Sequence, residues 1–146
     1  MELVDIGVNL TGKSFKDDGM QVVDEAVTAG VTKIVITGTT ESHSKQAALL
    51  SQSRPGVLFA TAGIHPHHAS DLNVNSMQTL AELAELEQVV AIGECGLDWY
   101  RNLAPRDTQI AAFTERRRSS LFYGYCNRIV RVPGAGYAYW YYGLDM

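Results

Sequence analysis

Cysteine is nearly absent from this chain: Cys95 and Cys126 are the only two in 146 residues. That excludes a disulfide framework, and their wide spacing offers no metal knuckle. Cys95 is most simply read as a small residue beside Glu94. Long apolar runs are missing as well. None approaches the roughly 20 residues that cross a bilayer, and the start MELVDIGVNL has no basic region ahead of an apolar one. No membrane association and no signal peptide are therefore expected, and the expected compartment is the cytoplasm. There is no GxGxxG after the first apolar run and no GxxxxGK[ST] anywhere, which argues against nucleotide-binding open sheets. Residues 116–146 contain no histidine and a single carboxylate, Asp145.

What remains is the composition of a globular protein, with 46% hydrophobic and 19% charged residues. The net charge of -4 conceals a division. Residues 1–115 carry 7 Lys and Arg against 15 Asp and Glu, whereas residues 116–146 carry 5 Arg, Asp145 and 6 of the 7 Tyr. Composition changes abruptly at Arg116. We therefore expect a β/α unit over residues 1–115 and an atypical, irregular Arg/Tyr-rich tail over 116–146.

Leu3 to Leu10 alternates Val4, Ile6, Val8 and Leu10 with Asp5, Gly7 and Asn9, the pattern of a strand with two unlike faces. After a glycine-bearing loop, Met20, Val23, Ala26 and Val27 recur at helical spacing, and Gly30 is a natural C-terminal stop. VTKIVITG (31–38) repeats the strand signal, and Thr39 or Thr40 can cap the helix that follows, which ends at Arg54-Pro55-Gly56. VLFATAG (57–63) is a third strand running into Ile64-His65-Pro66-His67-His68. Asn75 or Ser76 is expected to cap a helix with Met77, Leu80, Leu83 and Ala84 inward and Glu82, Glu85 and Glu87 in solvent. VVAIG (89–93) is the fourth strand, and Pro105 fits the first position of a fourth helix containing Ile110 and Phe113.

Four successive β-α units predict a parallel sheet flanked by helices, either open or closed into a barrel. The polar residues fall where a β/α barrel builds its active site: Asp5 and Asn9, Thr37 and Thr39, His65 and His67, Glu94 and Asp98 lie at or near the C-terminal ends of their strands. The strand-end sequence VVAIGECGLD places Glu94 between two glycines, as either a ligand handed from a buried strand to a loop or a turn-bound acid. Glu94 and His65 on adjacent strand ends could hold a hard divalent ion such as magnesium or manganese. Such an ion could polarise a phosphoryl oxygen and acidify a bound water. Equally, Pro66 could simply rigidify a turn whose imidazoles face water, while Asp5 and Asp98 could serve only to bond their own loops.

LVDIGVNLT (3–11), ITGT (36–39), TAGIHPH (61–67) and AIGECGLDWYRN (91–102) together resemble the TatD family of metal-dependent deoxyribonucleases, in order and spacing, throughout residues 1–115. The resemblance implies a TIM-type (β/α) barrel of the metal-dependent hydrolase kind. It also implies a divalent metal, expected to be Mg2+ with Mn2+ or Zn2+ as alternatives, and DNA as substrate, often attacked from the 3′ end. In that family the glutamate of the GExGLD motif is a metal ligand, which makes Glu94 the implied ligand and catalytic residue. His65, His67, Asp98 and Asp5 are carried as residues lining the same mouth.

Two departures qualify what is carried over. Many members place His-x-His on the first strand, where this chain has Gly7 and Asn9. Glycine cannot ligate, so Asn9 is retained only as a weak ligand. Members also continue through four more β-α units that supply two histidines and a late aspartate. No counterpart of these follows Glu115, as expected of a chain joined or read out of register near Arg116. The alternatives are then a catalytically inactive partial barrel that self-associates through exposed sheet edges, or a related metal-dependent amide or ester hydrolase. In residues 116–146, Arg116 to Arg118 and the tyrosines mix cations with aromatic faces, weak grounds for contact with single-stranded nucleic acid, and RIVRV (128–132) is the only strand-like run.

Overall fold

The computed structural model describes residues 3–118, 131–132 and 136–137. Four strands, β1 (Leu3–Val8), β2 (Val31–Ile36), β3 (Leu58–Ala62) and β4 (Val89–Ile92), form one sheet in the order β1-β2-β3-β4. Every neighbouring pair is parallel. The crossovers are helical: α1 (Gly19–Thr28), α2 (Glu41–Gln52) and α3 (Val74–Ala84), with α4 (Arg106–Arg118) after β4. This sequential parallel order is that of a partial β/α barrel. The boundary drawn at Glu115/Arg116 falls inside α4. Within the tail, β5 (Arg131–Val132) pairs antiparallel with β6 (Gly136–Tyr137), and the other tail residues after Arg118 lie outside the described set.

Period-two alternation divides the sheet into two apolar faces. Ile34, Ile36, Leu58, Ala60 and Val89 pack with Val23, Ala47, Ala48 and Leu80 of the helices. Val35 and Phe59 point the other way and pack with Val4, Val90 and Ala91. Strict alternation fails in β1. Gly7 has φ +97°, the register slips between Ile6 and Val8, and Val8 joins the helix-facing core, whereas Val4 lies on the opposite face. A β-bulge at a residue without Cβ is the physical reason.

Helix ends follow local chemistry, with corrections to the expected positions. The Thr40 side chain accepts the His43 N–H and caps α2. Helix α1 closes at Ala29, and Gly30, at φ +102°, carries the chain out in the left-handed region. The cap of α3 is Asn73 rather than Asn75 or Ser76: its side chain accepts the N–H groups of Asn75 and Ser76 while Ser76 bonds back to the Asn73 N–H. Asn75 and Ser76 are thus the donors of a capping box, one turn inside the helix. Pro105 precedes α4, and its carbonyl accepts the Gln109 N–H at 3.0 Å, an ordinary hydrogen-bond length. Helix α4 contains Ile110 and Phe113 as expected; its buried residues are Gln109 and Ala112, while Ile110 is exposed.

Candidate active site

Two glycines, Gly38 after β2 and Gly63 after β3, prepare the C-terminal ends of the central strands. A Cβ on Gly63 would lie 2.3 Å from the Gly93 carbonyl carbon, and one on Gly38 would lie 2.4 Å from the Thr61 oxygen. No side chain larger than hydrogen fits at Gly38 or Gly63, so adjacent strand ends approach closely. The loops are then stitched across the mouth. Glu94 N–H donates to the Gly38 carbonyl (2.8 Å), His65 N–H to Thr39 (2.8 Å) and Gly93 N–H to Ala62 (2.9 Å). Ser44, fully buried on α2, bonds both the N–H and the carbonyl of Gly63 at 3.0 Å. The Gly93–Glu94 peptide is cis.

His65 is the N-cap of a short 3-10 segment, Pro66–Asp71, that Pro66 starts. Its Nδ1 accepts the backbone N–H of His67 at 3.1 Å. An unprotonated Nδ1 means that the neutral ring carries its proton on Nε2. That Nε2 lies 3.7 Å from Glu94 Oε1, with both side chains largely enclosed. Burial, followed by repulsion from His67, pulls the His65 pKa from 6.5 down to about 4, against a partial pull upward from Asp98. His65 is therefore a neutral imidazole whose Nε2 faces the Glu94 carboxyl.

The His67 ring stands edge-on to that of His65, with centroids 4.1 Å apart. Its Nε2 lies 2.5 Å from Asp98 Oδ2. Asp98 Oδ1 accepts the N–H groups of Tyr100 (3.1 Å) and Arg101 (3.0 Å). The Arg101 backbone bond and then the His67 bond hold the Asp98 carboxyl below its ordinary pKa. Asp98 thus both closes its own turn and fixes an imidazole of the neighbouring loop.

His65, His67, Glu94 and Asp98 are brought together. Asp5 and Asn9 are exposed on β1 and just after it, and no hydrogen bond or ion pair of their side chains to this cluster occurs among the described residues. Sequence reasoning passed over Gln109, which is only 1% exposed. Its Oε1 accepts the Asp98 N–H at 2.8 Å, and its Nε2 donates to the carbonyls of Ala104 (2.7 Å) and Asp98 (3.2 Å). A polar residue on the apolar stripe of α4 was the available signal.

Among the described residues no group of three His, Cys, Asp or Glu side chains could hold a metal ion. Glu94 is one suitable oxygen donor, but the donor set as it stands is not a complete metal centre. No helix among the described residues is long and apolar enough to cross a membrane.

A family profile described as TatD related DNase matches residues 4–120. The chain is 53% identical over 111 residues to a protein of Pantoea sp. (strain At-9b) named 3'-5' ssDNA/RNA exonuclease TatD, a match covering 76% of this chain and 43% of that protein. It is 50% identical to the protein of that name from Erwinia billingiae, with 76% and 42% covered. The chain thus spans less than half the length of these curated relatives. A TatD family hydrolase from Entamoeba histolytica superposes with TM-score 0.67 at 27% identity, covering 77% of this chain and 44% of the other. A TatD homologue from Escherichia coli K12 gives TM-score 0.71 at 24% identity, covering 82% and 46%, a likeness of fold. With this match over most of its length, the chain belongs to the TatD-related DNase family.

Proposed function

We propose that this chain carries part of the active site of a divalent-metal-dependent nuclease that removes nucleotides from the 3′ end of single-stranded DNA or RNA in the cytoplasm. The observation that carries the reading is the placement of Glu94, beside His65, at the C-terminal end of β4 in a partial barrel whose relatives are named for that activity. Glu94 supplies one carboxylate toward a divalent metal, Mg2+ in this reading. The remaining ligands are not in the described cluster, so no step is assigned to the metal. His65 places its Nε2 3.7 Å from the Glu94 carboxyl, and the Asp98–His67 pair holds the adjacent wall.

The test is hydrolysis of a 5′-labelled single-stranded oligonucleotide with Mg2+, Mn2+ or Zn2+, comparing the wild-type chain with Glu94→Gln. A ladder shortening from the 3′ end, metal-dependent and lost in the variant, supports the reading. Cleavage unchanged by Glu94→Gln, or turnover only of small amides or esters, rejects it.

A second reading is favoured by one observation. In the four-stranded sheet β1 and β4 are the edge strands, and Leu3 and Ile6 of β1 are exposed. Open parallel edges pair readily with another chain. In this reading the polypeptide self-associates and does not turn over. Light scattering during the same assay separates the two: a monomer that degrades DNA excludes it.

A further inference from the structure

Immediately after Asp98 the chain presents Trp99-Tyr100-Arg101-Asn102-Leu103 to solvent. Tyr100 is 97% exposed, Leu103 69% and Trp99 41%. One exposed apolar side chain is ordinary. Three among five consecutive residues are not, especially on a backbone so firmly held. The Asp98 carboxylate takes the N–H groups of Tyr100 and Arg101, and the Asp98 carbonyl takes that of Asn102 at 3.3 Å. Buried Gln109 ties down Asp98 and Ala104, the two ends of the loop. The aromatic rings therefore project from a rigid base instead of collapsing onto the protein.

The loop is also charged in a particular way. Arg106 places its guanidinium 5.4 Å from the centroid of the Trp99 ring, and Arg101 is exposed beside Tyr100. Asp98, the carboxylate within the segment, is engaged by His67 and the turn. With one guanidinium over the Trp99 ring and a second carried by the residue after Tyr100, the loop combines cations and aromatic rings on an otherwise acidic stretch of chain, where residues 1–115 hold 15 Asp and Glu against 7 Lys and Arg.

We infer that Trp99 and Tyr100, with Arg101 and Arg106, form a stacking platform that holds the bases and phosphates of a single-stranded nucleic acid as it approaches the mouth beside Glu94. Aromatic faces accept any base, and guanidinium groups match phosphate oxygens. A duplex does not fit the same surface, because its base faces are covered by their neighbours. Asp98 anchors the platform to His67, so the strand held by the loop lies against the wall of the site. The inference rests on the nuclease reading for its location but concerns binding alone.

The experiment uses the full chain in EDTA, where binding is measured without metal-dependent cleavage. The probe is 3′-fluorescein-labelled dT10, followed by anisotropy; tryptophan emission is followed in a Trp140→Phe background, which leaves Trp99 as the reporter. Stacking predicts quenching of Trp99 and an affinity loss of roughly 5- to 100-fold in Tyr100→Ala, as expected for one base–aromatic stack. Tyr100→Phe should stay within about twofold of wild type because it keeps the ring. Arg101→Ala should weaken binding at low salt and flatten its salt dependence. With Tyr100 almost wholly exposed, these substitutions leave the fold intact, checked by circular dichroism.

Unchanged binding in Tyr100→Ala overturns the platform, as does the absence of binding by the wild-type chain. So does a protein dimer that Tyr100→Ala dissolves while dT10 binds neither form. Weakened binding by Tyr100→Ala in a chain that hydrolyses nothing with Mg2+ upholds the platform and rejects the nuclease reading. Hydrolysis with binding indifferent to Tyr100 does the reverse.

Discussion

His67 Nε2 and Asp98 Oδ2 stand 2.5 Å apart, joining the loop after β3 to the loop after β4 through a single carboxylate. The other oxygen of that carboxylate closes the turn over Tyr100 and Arg101. One side chain thus couples turn geometry to imidazole orientation. Asp98→Ala should free both. The Tyr100 and Arg101 amides should exchange with solvent roughly five- to tenfold faster, the scale set by one hydrogen bond of ordinary net strength. The His67 imidazole resonances should broaden or shift in the same variant. Unaltered amide exchange would show that the turn holds without the carboxylate.

Acid should act on the same contact in a defined direction. The Asp98 pKa lies below its ordinary 3.8, chiefly through the Arg101 backbone bond and then through His67. A carboxyl depressed in the folded state stabilises it above the unfolded value, and that contribution is lost as pH falls through the folded value. The stability difference between wild type and Asp98→Asn should therefore be largest above about pH 5 and close as pH drops below the ordinary carboxylate range. Denaturant midpoints measured across that interval check the sign. A difference that widens on acidification would contradict it.

Much of this was legible in residue order, for physical reasons. Strand β1 shows through its alternation, whereas the apolar runs of β2 and β3 are legible because buried parallel strands need continuous apolar sequence. Their glycine-terminated ends mark the mouth, and the polar residues after β3 and β4 meet there. The bulge at Gly7 was not legible, since a register slip depends on the partner strand rather than on local alternation. Nor was the tautomer of His65, which one backbone N–H of the following turn decides. Asp5 and Asn9 share the strand-end pattern, and β1 leaves both exposed.

Gln109 shows what periodicity misses. Its position among apolar neighbours marks it as buried, but only the fold reveals that it satisfies both ends of the aromatic loop. Gln109→Leu keeps the volume and removes every bond. It leaves the Asp98 N–H and the Ala104 carbonyl without this partner, at about 1–3 kcal/mol for each buried group left unpaired. Urea denaturation should show a loss of at least about 2 kcal/mol, whereas a loss under about 0.5 kcal/mol would mean that water replaces the amide. Gln109→Glu should cost at least as much as Gln109→Leu near neutral pH, because it aims a carboxylate oxygen at the Ala104 and Asp98 carbonyls in a buried site.

The closing of the strand ends can be tested by two glycines that look alike in sequence. Gly63 ends the third strand and Gly93 the fourth, each just before the residues of the site. A Cβ on Gly63 would meet the Gly93 carbonyl carbon at 2.3 Å and the Glu94 nitrogen at 2.5 Å, both backbone atoms that cannot rotate aside. A Cβ on Gly93 would meet nothing within 4 Å. Gly63→Ala should therefore separate β3 from the Glu94 peptide and cost about 1–3 kcal/mol or more, the range for overpacking in a close-packed region. Gly93→Ala should remain within about 0.5 kcal/mol of wild type on packing grounds. The same contrast should reach the site: Gly63→Ala displaces the Glu94 N–H from the Gly38 carbonyl it now meets at 2.8 Å, and that amide should lose exchange protection. Equal destabilisation by the two substitutions would show that crowding at Gly63 does not set the position of Glu94.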